Sequence, residues 1–160
     1  MVLQGSTSTA AVPFLVCRSG TRLCAVPLAH VAETMRPLPL EPLADMPPFL
    51  LGVSVIRSAV VPVVDLALLT GSPLRTPPGR YVTLRLAGDR LVALAVEGTV
   101  GVRALAAESL HEVPPLLRDA APEVIAAVTL LDAELLLVLQ AARVLPESVW
   151  SGIAAHEALA

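Results

Sequence analysis

The chain has 160 residues, of which 55% are hydrophobic and 16% are charged, and its formal net charge is −3. This length and composition fit one domain with a sizeable buried core and exclude intrinsic disorder. All 11 basic residues are arginines, scattered along the chain, and few residues are aromatic. The composition therefore argues against nucleic acid as a partner. Without lysine, a Schiff-base enzyme and a Walker phosphate loop are excluded.

The mean hydropathy of +0.74 raises the question of a membrane span. A spanning helix needs about 18 apolar residues in a row. The apolar stretches at 46–56 and 135–142 are shorter, and the first of them contains two prolines. Residues 1–11 form a polar tail without the pattern of a signal peptide, and we expect this tail to be flexible. We expect a cytoplasmic protein whose strands are buried on more than one face.

In chain order, the hydrophobic pattern predicts four β-hairpins and three short helical segments. The hairpin turns are predicted at residues 20–21, 57–58, 88–89 and 132–133. A Gly20-Thr21 loop fits a type II′ turn, which requires glycine first. The helical segments are predicted at 28–35, at 66–70 with Asp65 as its N-cap, and at 147–159 after Pro146.

The predicted hairpins form an internal repeat. Residues 50–57 resemble residues 125–132, which lie 75 positions further along the chain, and Val31 corresponds to Val100 at an offset of 69. Each half reads as hairpin, connector, hairpin and a short helical end. The halves, about 12–72 and 80–146, meet in a loop rich in proline and glycine, and residues 147–160 follow as a helical tail.

The segment from Gly52 to Gly71 resembles the CheW domain, the coupling protein of bacterial chemotaxis. A Gly-Val strand, an arginine in the turn and a Pro-Val-Val-Asp-Leu return strand carry the likeness, which extends by motif spacing over 12–146. The motif positions of the resemblance are Phe14, Leu15, Val16, Gly20, Val26, Val31, Glu33, Pro47 to Val53, Ile56, Arg57, Val61 to Leu66 and Gly71.

The resemblance implies an all-β fold of two small five-stranded, SH3-like barrels packed together. It implies a non-catalytic adaptor without metal or cofactor that bridges two partners in a two-component signalling system. One is the regulatory domain of a CheA-like histidine kinase, held on an apolar barrel face. The other is the cytoplasmic tip of a methyl-accepting chemoreceptor, held in the groove between the barrels. Contact with the membrane is then expected only through the receptors.

Carried over by position, Arg57 is the turn arginine that the family uses in coupling. Val31 and Glu33 lie in the connector that approaches the receptor, Val100 is the matching position of the second half, and Gly52 opens the strand that leads to Arg57. The hairpin around Arg57 also carries valines at both odd and even positions, so valine side chains point to both faces of its strands. This pattern predicts either an exposed docking patch or burial of both faces. The predicted contact positions among these valines are Val53, Val55 and Val60.

The sequence departs from the family pattern and is predicted to be a divergent member. Ser58 follows Arg57 where the family usually has glycine, and a left-handed turn there would cost about 1 kcal/mol. The other departures are Val55 for asparagine, Ala127 for glycine and Glu97 for aspartate.

Other interpretations remain open. The chain could be a scaffold in a pathway other than swimming, such as surface motility or development, or a small-ligand-binding or enzymatic barrel protein. Cys17 and Cys24 face each other across the first hairpin, so a disulfide is conceivable, although two small reduced core residues are favoured. The three histidines show no metal-ligand or triad spacing and are interpreted as solvated.

Overall fold

The computed structural model describes residues 10–72, 75, 77–115 and 123–159, and these residues form ten strands and two α-helices. The fold is all-β, as predicted, and the strands divide into two five-stranded sheets. The strands are β1 Ala11–Ser19, β2 Arg22–Pro27, β3 Val31–Met35, β4 Leu50–Ile56, β5 Ala59–Asp65, β6 Arg80–Arg85, β7 Leu91–Val96, β8 Gly98–Ala106, β9 Ile125–Leu131 and β10 Glu134–Leu139. The helices are α1 Leu66–Leu69 and α2 Glu147–Leu159.

The two sheets exchange strands between the halves of the chain. The first sheet has the order β8-β1-β2-β10-β9 and the second the order β3-β6-β7-β5-β4. Each strand of one sheet corresponds to the strand five places away in chain order in the other sheet: β1 corresponds to β6, β2 to β7, and so on to β5 and β10. Exchanging the members of each pair converts one sheet order into the other. The predicted repeat is therefore present in the topology. The sheets do not coincide with the predicted halves 12–72 and 80–146, because each half contributes strands to both sheets.

Strands that are buried on both faces explain the high hydropathy. Along β1, Leu15 and Cys17 point into the large core between the sheets, whereas Phe14 and Val16 point into a smaller core within the first sheet. The second sheet has a matching inner core that includes Val61, Val63 and Tyr81. Successive side chains of a strand point to opposite faces, so three apolar cores require nearly continuous apolar strands.

The hairpin turns set the strand registers. Ser19 pairs with Arg22, so Gly20-Thr21 is a two-residue loop with a positive φ of 61° at the glycine, as a type II′ turn requires. Arg57 and Ser58 both have positive φ, 50° and 67°, and Asp132 and Ala133 repeat this conformation 75 positions later. Two successive left-handed residues are the mark of a type I′ turn, which matches the twist of the flanking strands.

Two of the three predicted helical segments are confirmed. Asp65 caps α1 by accepting a hydrogen bond from the Leu68 amide at 3.1 Å, and α2 begins directly after Pro146. The predicted helix at 28–35 is wrong, because only Leu28–His30 forms a 3₁₀ turn and Val31–Met35 is a strand. The β-branched Val31 and Thr34 suit a strand, and β6 offers this segment a pairing edge.

Cys17 and Cys24 are paired in register across the first hairpin, and both thiols are free and buried. Burial raises the pKa of each thiol to about 12. Because the thiolate is the reactive form, both cysteines behave as small apolar core residues.

Among the described residues, no helix is long and apolar enough to cross a membrane.

Candidate protein-docking site

The tip of the β4–β5 hairpin carries a bidentate ion pair. Arg57 donates from Nε to Glu33 Oε2 at 2.7 Å and from its second terminal nitrogen to Glu33 Oε1 at 2.8 Å. The type I′ turn projects Arg57 back over the edge strand β3, where Glu33 lies. Each residue is predicted from the sequence to be a contact residue, and the structure brings the two together. A fork-to-fork pair fixes the guanidinium plane, so the exposed arginine presents its remaining donor edge in one orientation.

The ion pair shifts the titration of both groups. The hydrogen bonds from Arg57 lower the pKa of the Glu33 carboxyl, and the same bonds raise the pKa of Arg57. Both side chains are solvated, so the pair is expected to contribute orientation more than stability.

An apolar surface lies on the same hairpin. Val55 and Val60 are directly opposite each other across β4 and β5, with exposed fractions of 66% and 46%. Val53 is half-buried beside them, and Leu40 from the preceding connector is exposed. These four residues, Leu40, Val53, Val55 and Val60, are called the hairpin face below. The valines at 55 and 60 are thus exposed, and burial on both faces is ruled out for them.

Gly52 acts on the backbone beneath the hairpin face. It is buried with φ +144°, and a Cβ at this position would lie 2.4 Å from the carbonyl oxygen of Glu41. This close approach allows Glu41 and Val53 to exchange two backbone hydrogen bonds of 2.8 and 2.9 Å. The bridge holds the connector, and Leu40 with it, against β4. Any role of Gly52 in binding is therefore indirect, through the position of the connector.

Val31 and Val100 lie on the edge strands of different sheets. Val31, on β3, is half-buried and packs against the core between the sheets. Val100, on β8, is 43% exposed. The predicted connectors that carry them are therefore strands. The structure does not bring these two valines onto the hairpin face.

The β9–β10 hairpin of the first sheet carries an apolar pair that the sequence analysis did not predict. Leu130 and Leu135 pair across the strands with exposed fractions of 67% and 42%. They correspond to Val55 and Val60 at the repeat offset of 75, so the repeat contained the signal. Asp132 stands at the position of Arg57, and Val102 at the position of Glu33, so among the described residues the second hairpin has no equivalent ion pair.

Metal-ligand groups and clefts are the other features that could form a functional site in the described part of the chain. No group of three or more His, Cys, Asp or Glu residues is placed to hold a metal ion among these residues. A cleft of about 470 Å³ lies beside Phe49 and Leu69, but its Glu123 and Arg143 neutralise each other at 2.6 Å. An exposed apolar face beside an oriented arginine is suited to binding another protein, because exposed apolar patches mark interaction sites and arginine is enriched among the residues that supply most of the affinity.

Comparison with known proteins agrees with this description. Residues 13–149 match the family model described as CheW-like domain. Protein FrzA of Myxococcus xanthus is 31% identical over 111 residues, which are 69% of this chain and 69% of that protein. The crystal structure of the scaffolding protein TtCheW from Thermoanaerobacter tengcongensis superimposes with a TM-score of 0.73 at 17% identity. The superposition covers 84% of this chain and 92% of that one.

Proposed function

Because the chain belongs to the CheW-like domain family, we propose that it is a non-catalytic, cytoplasmic adaptor that couples chemoreceptors to a CheA-type histidine kinase. Its mechanism is non-covalent: it holds two other proteins in a fixed relative position. The observation that carries this proposal is the hairpin face, an exposed apolar surface directly beside the oriented Arg57.

The kinase regulatory domain is the proposed partner of the hairpin face. Val55 and Val60 supply apolar anchors, and Arg57 supplies directional hydrogen bonds at the end of the same hairpin. Glu33 supports this role, because it neutralises one edge of the guanidinium and leaves the other edge available to an acceptor on the kinase.

The receptor tip is the proposed partner of the edge strands β3 and β8, which carry Val31 and Val100. Each valine follows the first hairpin of its half of the chain. Val31 is the first residue of the edge strand β3, and Val100 is the third residue of the edge strand β8. Of the two, Val100 is available for direct contact, whereas Val31 packs partly against the core. The proposal therefore assigns the receptor to a surface other than the hairpin face, since neither valine belongs to that face.

The kinase contact is tested by titration calorimetry with the regulatory domain of the CheA-type kinase from the same organism. Val60→Asp places a charge in the hairpin face and is expected to weaken binding at least 100-fold. Arg57→Ala is expected to weaken binding about 10-fold, the usual size of a lost charged hydrogen bond. Val12→Asp is the matched control, because Val12 is 49% exposed and lies on the other sheet.

Wild-type affinity in both the Val60 and Arg57 variants would overturn the assignment of this surface.

The receptor contact is tested separately: Val100→Asp is expected to abolish co-sedimentation with the receptor tip while kinase binding stays unchanged. If the Val100 variant lost both partners together, the proposed separation of the two surfaces would be wrong.

A further inference from the structure

A groove runs between the carboxyl-terminal part of α2 and the β4–β5 hairpin. Its volume is about 210 Å³. Small-molecule sites usually measure about 300–1,000 Å³, so this groove is sized for one large side chain. It is continuous with the hairpin face through Val53 and Val60. The lining residues are Glu41, Leu43, Val53, Val60, Ile153, His156 and Glu157.

The groove is preformed because α2 is fixed at several points along its length. At its first turn, Glu147 accepts two hydrogen bonds from Arg90, at 2.8 and 2.9 Å, and Arg90 stacks over the Trp150 ring at 4.8 Å. Near its last turn, His156 donates from Nε2 to the carbonyl oxygen of Ala44 at 3.2 Å. Ile153 is buried between these ends. A partner therefore meets a groove that needs no reordering of the helix.

The rim of the groove is acidic. Glu41 and Glu157 are exposed, and neither forms an ion pair with another described residue. Glu157 also lies in the last turn of α2, where the helix dipole already contributes negative potential, so this carboxylate adds to the field. No arginine lines the groove among the residues that the structure describes. A cation supplied from outside would relieve this uncompensated charge.

We propose that this groove receives one large apolar side chain of the kinase regulatory domain, from a segment that carries Arg or Lys next to it. The inference rests on the proposed function and deepens it, because it assigns α2 a share in kinase binding. Residues Ile153, His156 and Glu157, which form this wall, lie beyond the matched family residues 13–149. The apolar side chain fills the space beside Val60, and the basic neighbours face Glu41 and Glu157.

Charge reversal on the rim tests the proposal in the 160-residue chain with the same kinase domain, at 50 and 200 mM salt. Glu41→Arg and Glu157→Arg are each expected to weaken binding about 5- to 10-fold at low salt. The loss is expected to shrink at high salt, because exposed charges are screened there. Glu108→Arg and Glu112→Arg are matched controls, since both glutamates are exposed and lie after β8, away from the groove.

A labelling experiment locates the contact independently. The two native cysteines are buried with pKa values raised to about 12, so a cysteine introduced by Glu157→Cys is the one that a maleimide dye labels. We expect the dye emission to shift to the blue when the kinase domain is added. The same dye on Glu108→Cys is expected to show no shift.

The failures of the two proposals are distinguishable. If the Glu41 and Glu157 variants bind like the wild type at both salts and the dye does not respond, whereas Val60→Asp still weakens binding at least 100-fold, the groove proposal is wrong. In that result the proposed kinase-binding function stands. If Val60→Asp and Arg57→Ala also bind normally, both proposals fall.

Discussion

Ser58 has a backbone conformation that an L side chain adopts only at a cost. Its φ of 67° follows a φ of 50° at Arg57. Glycine adopts the left-handed region without steric penalty, so Ser58→Gly is expected to stabilise the fold by about 1 kcal/mol. The measurement is the midpoint of urea unfolding at an unchanged slope.

The control for this substitution lies next to it. Ala59 begins β5 with an ordinary extended backbone, so Ala59→Gly is expected to destabilise the protein by about 0.5–1 kcal/mol through chain entropy. If glycine stabilises the fold at position 58 and destabilises it at position 59, the difference in stability follows from the backbone φ at each position. Destabilisation by Ser58→Gly would mean that the serine side chain supports the turn in another way.

At the scale of single residues, local signals predicted the structure well. Glycine before threonine between two apolar runs specified the first turn, and an aspartate before Leu66 specified a cap, because each depends on atoms within three residues. The contact between Arg57 and Glu33 had no such local signal. It exists because β3 and the β4–β5 turn meet in space, across 24 positions of sequence.

The β4–β5 hairpin and β3 act together through the ion pair, and its electrostatics can be measured. The hydrogen bonds from Arg57 hold the pKa of Glu33 below its ordinary value of about 4.5. The folded-state pKa is thus lower than the unfolded one, so the pair stabilises the fold above about pH 4.5 and loses this effect as the pH falls through the folded pKa.

Removing the arginine should reverse that shift. In Arg57→Ala, the pKa of Glu33 is expected to rise back toward its ordinary value, as followed by NMR titration of the side-chain carboxyl carbon. Arg18→Ala is the matched control, because Arg18 forms the same bidentate contact with Glu134 at 2.7 and 2.9 Å. It should raise the pKa of Glu134 alone. An unchanged Glu33 titration in Arg57→Ala would show that the pair does not form in solution.

At the scale of elements, periodicity identified the hairpins and α2 but failed for Val31–Met35. Five residues with mixed polarity carry too little pattern to separate one helical turn from an edge strand, and pairing with β6 decided the outcome. The repeat predicted equivalent hairpins at Gly52 and Ala127, and both are present. The repeat also contains a second exposed apolar pair. Leu130 and Leu135 lie 75 positions after Val55 and Val60, and they are exposed in the same way.

In the whole molecule, the arrangement of the hairpins follows from contacts that sequence proximity does not encode. Val12 of β1 pairs with Leu105 of β8, and Cys24 of β2 lies parallel to Leu137 of β10. A repeat in sequence is equally compatible with two self-contained barrels and with exchanged strands. The exchanged form lets the first hairpin of each half bury both faces, one inside its sheet and one against the other sheet.

Exchange of strands makes the two sheets one folding unit. Neither sheet can form from one half of the chain, and the largest core lies between them, so thermal unfolding is expected to be a single transition with equal calorimetric and van't Hoff enthalpies. Leu94→Ala, in the inter-sheet core, should cost about 2–5 kcal/mol and lower the temperature of that one transition. Val55→Ala, on the exposed hairpin face, serves as the control and should change stability by less than about 0.5 kcal/mol.

Two separate calorimetric peaks, of which Leu94→Ala moved only one, would mean that the sheets unfold independently. The exchange would then join two units without coupling their stability. A single peak that moves as a whole would show that the two sheets unfold as one cooperative unit.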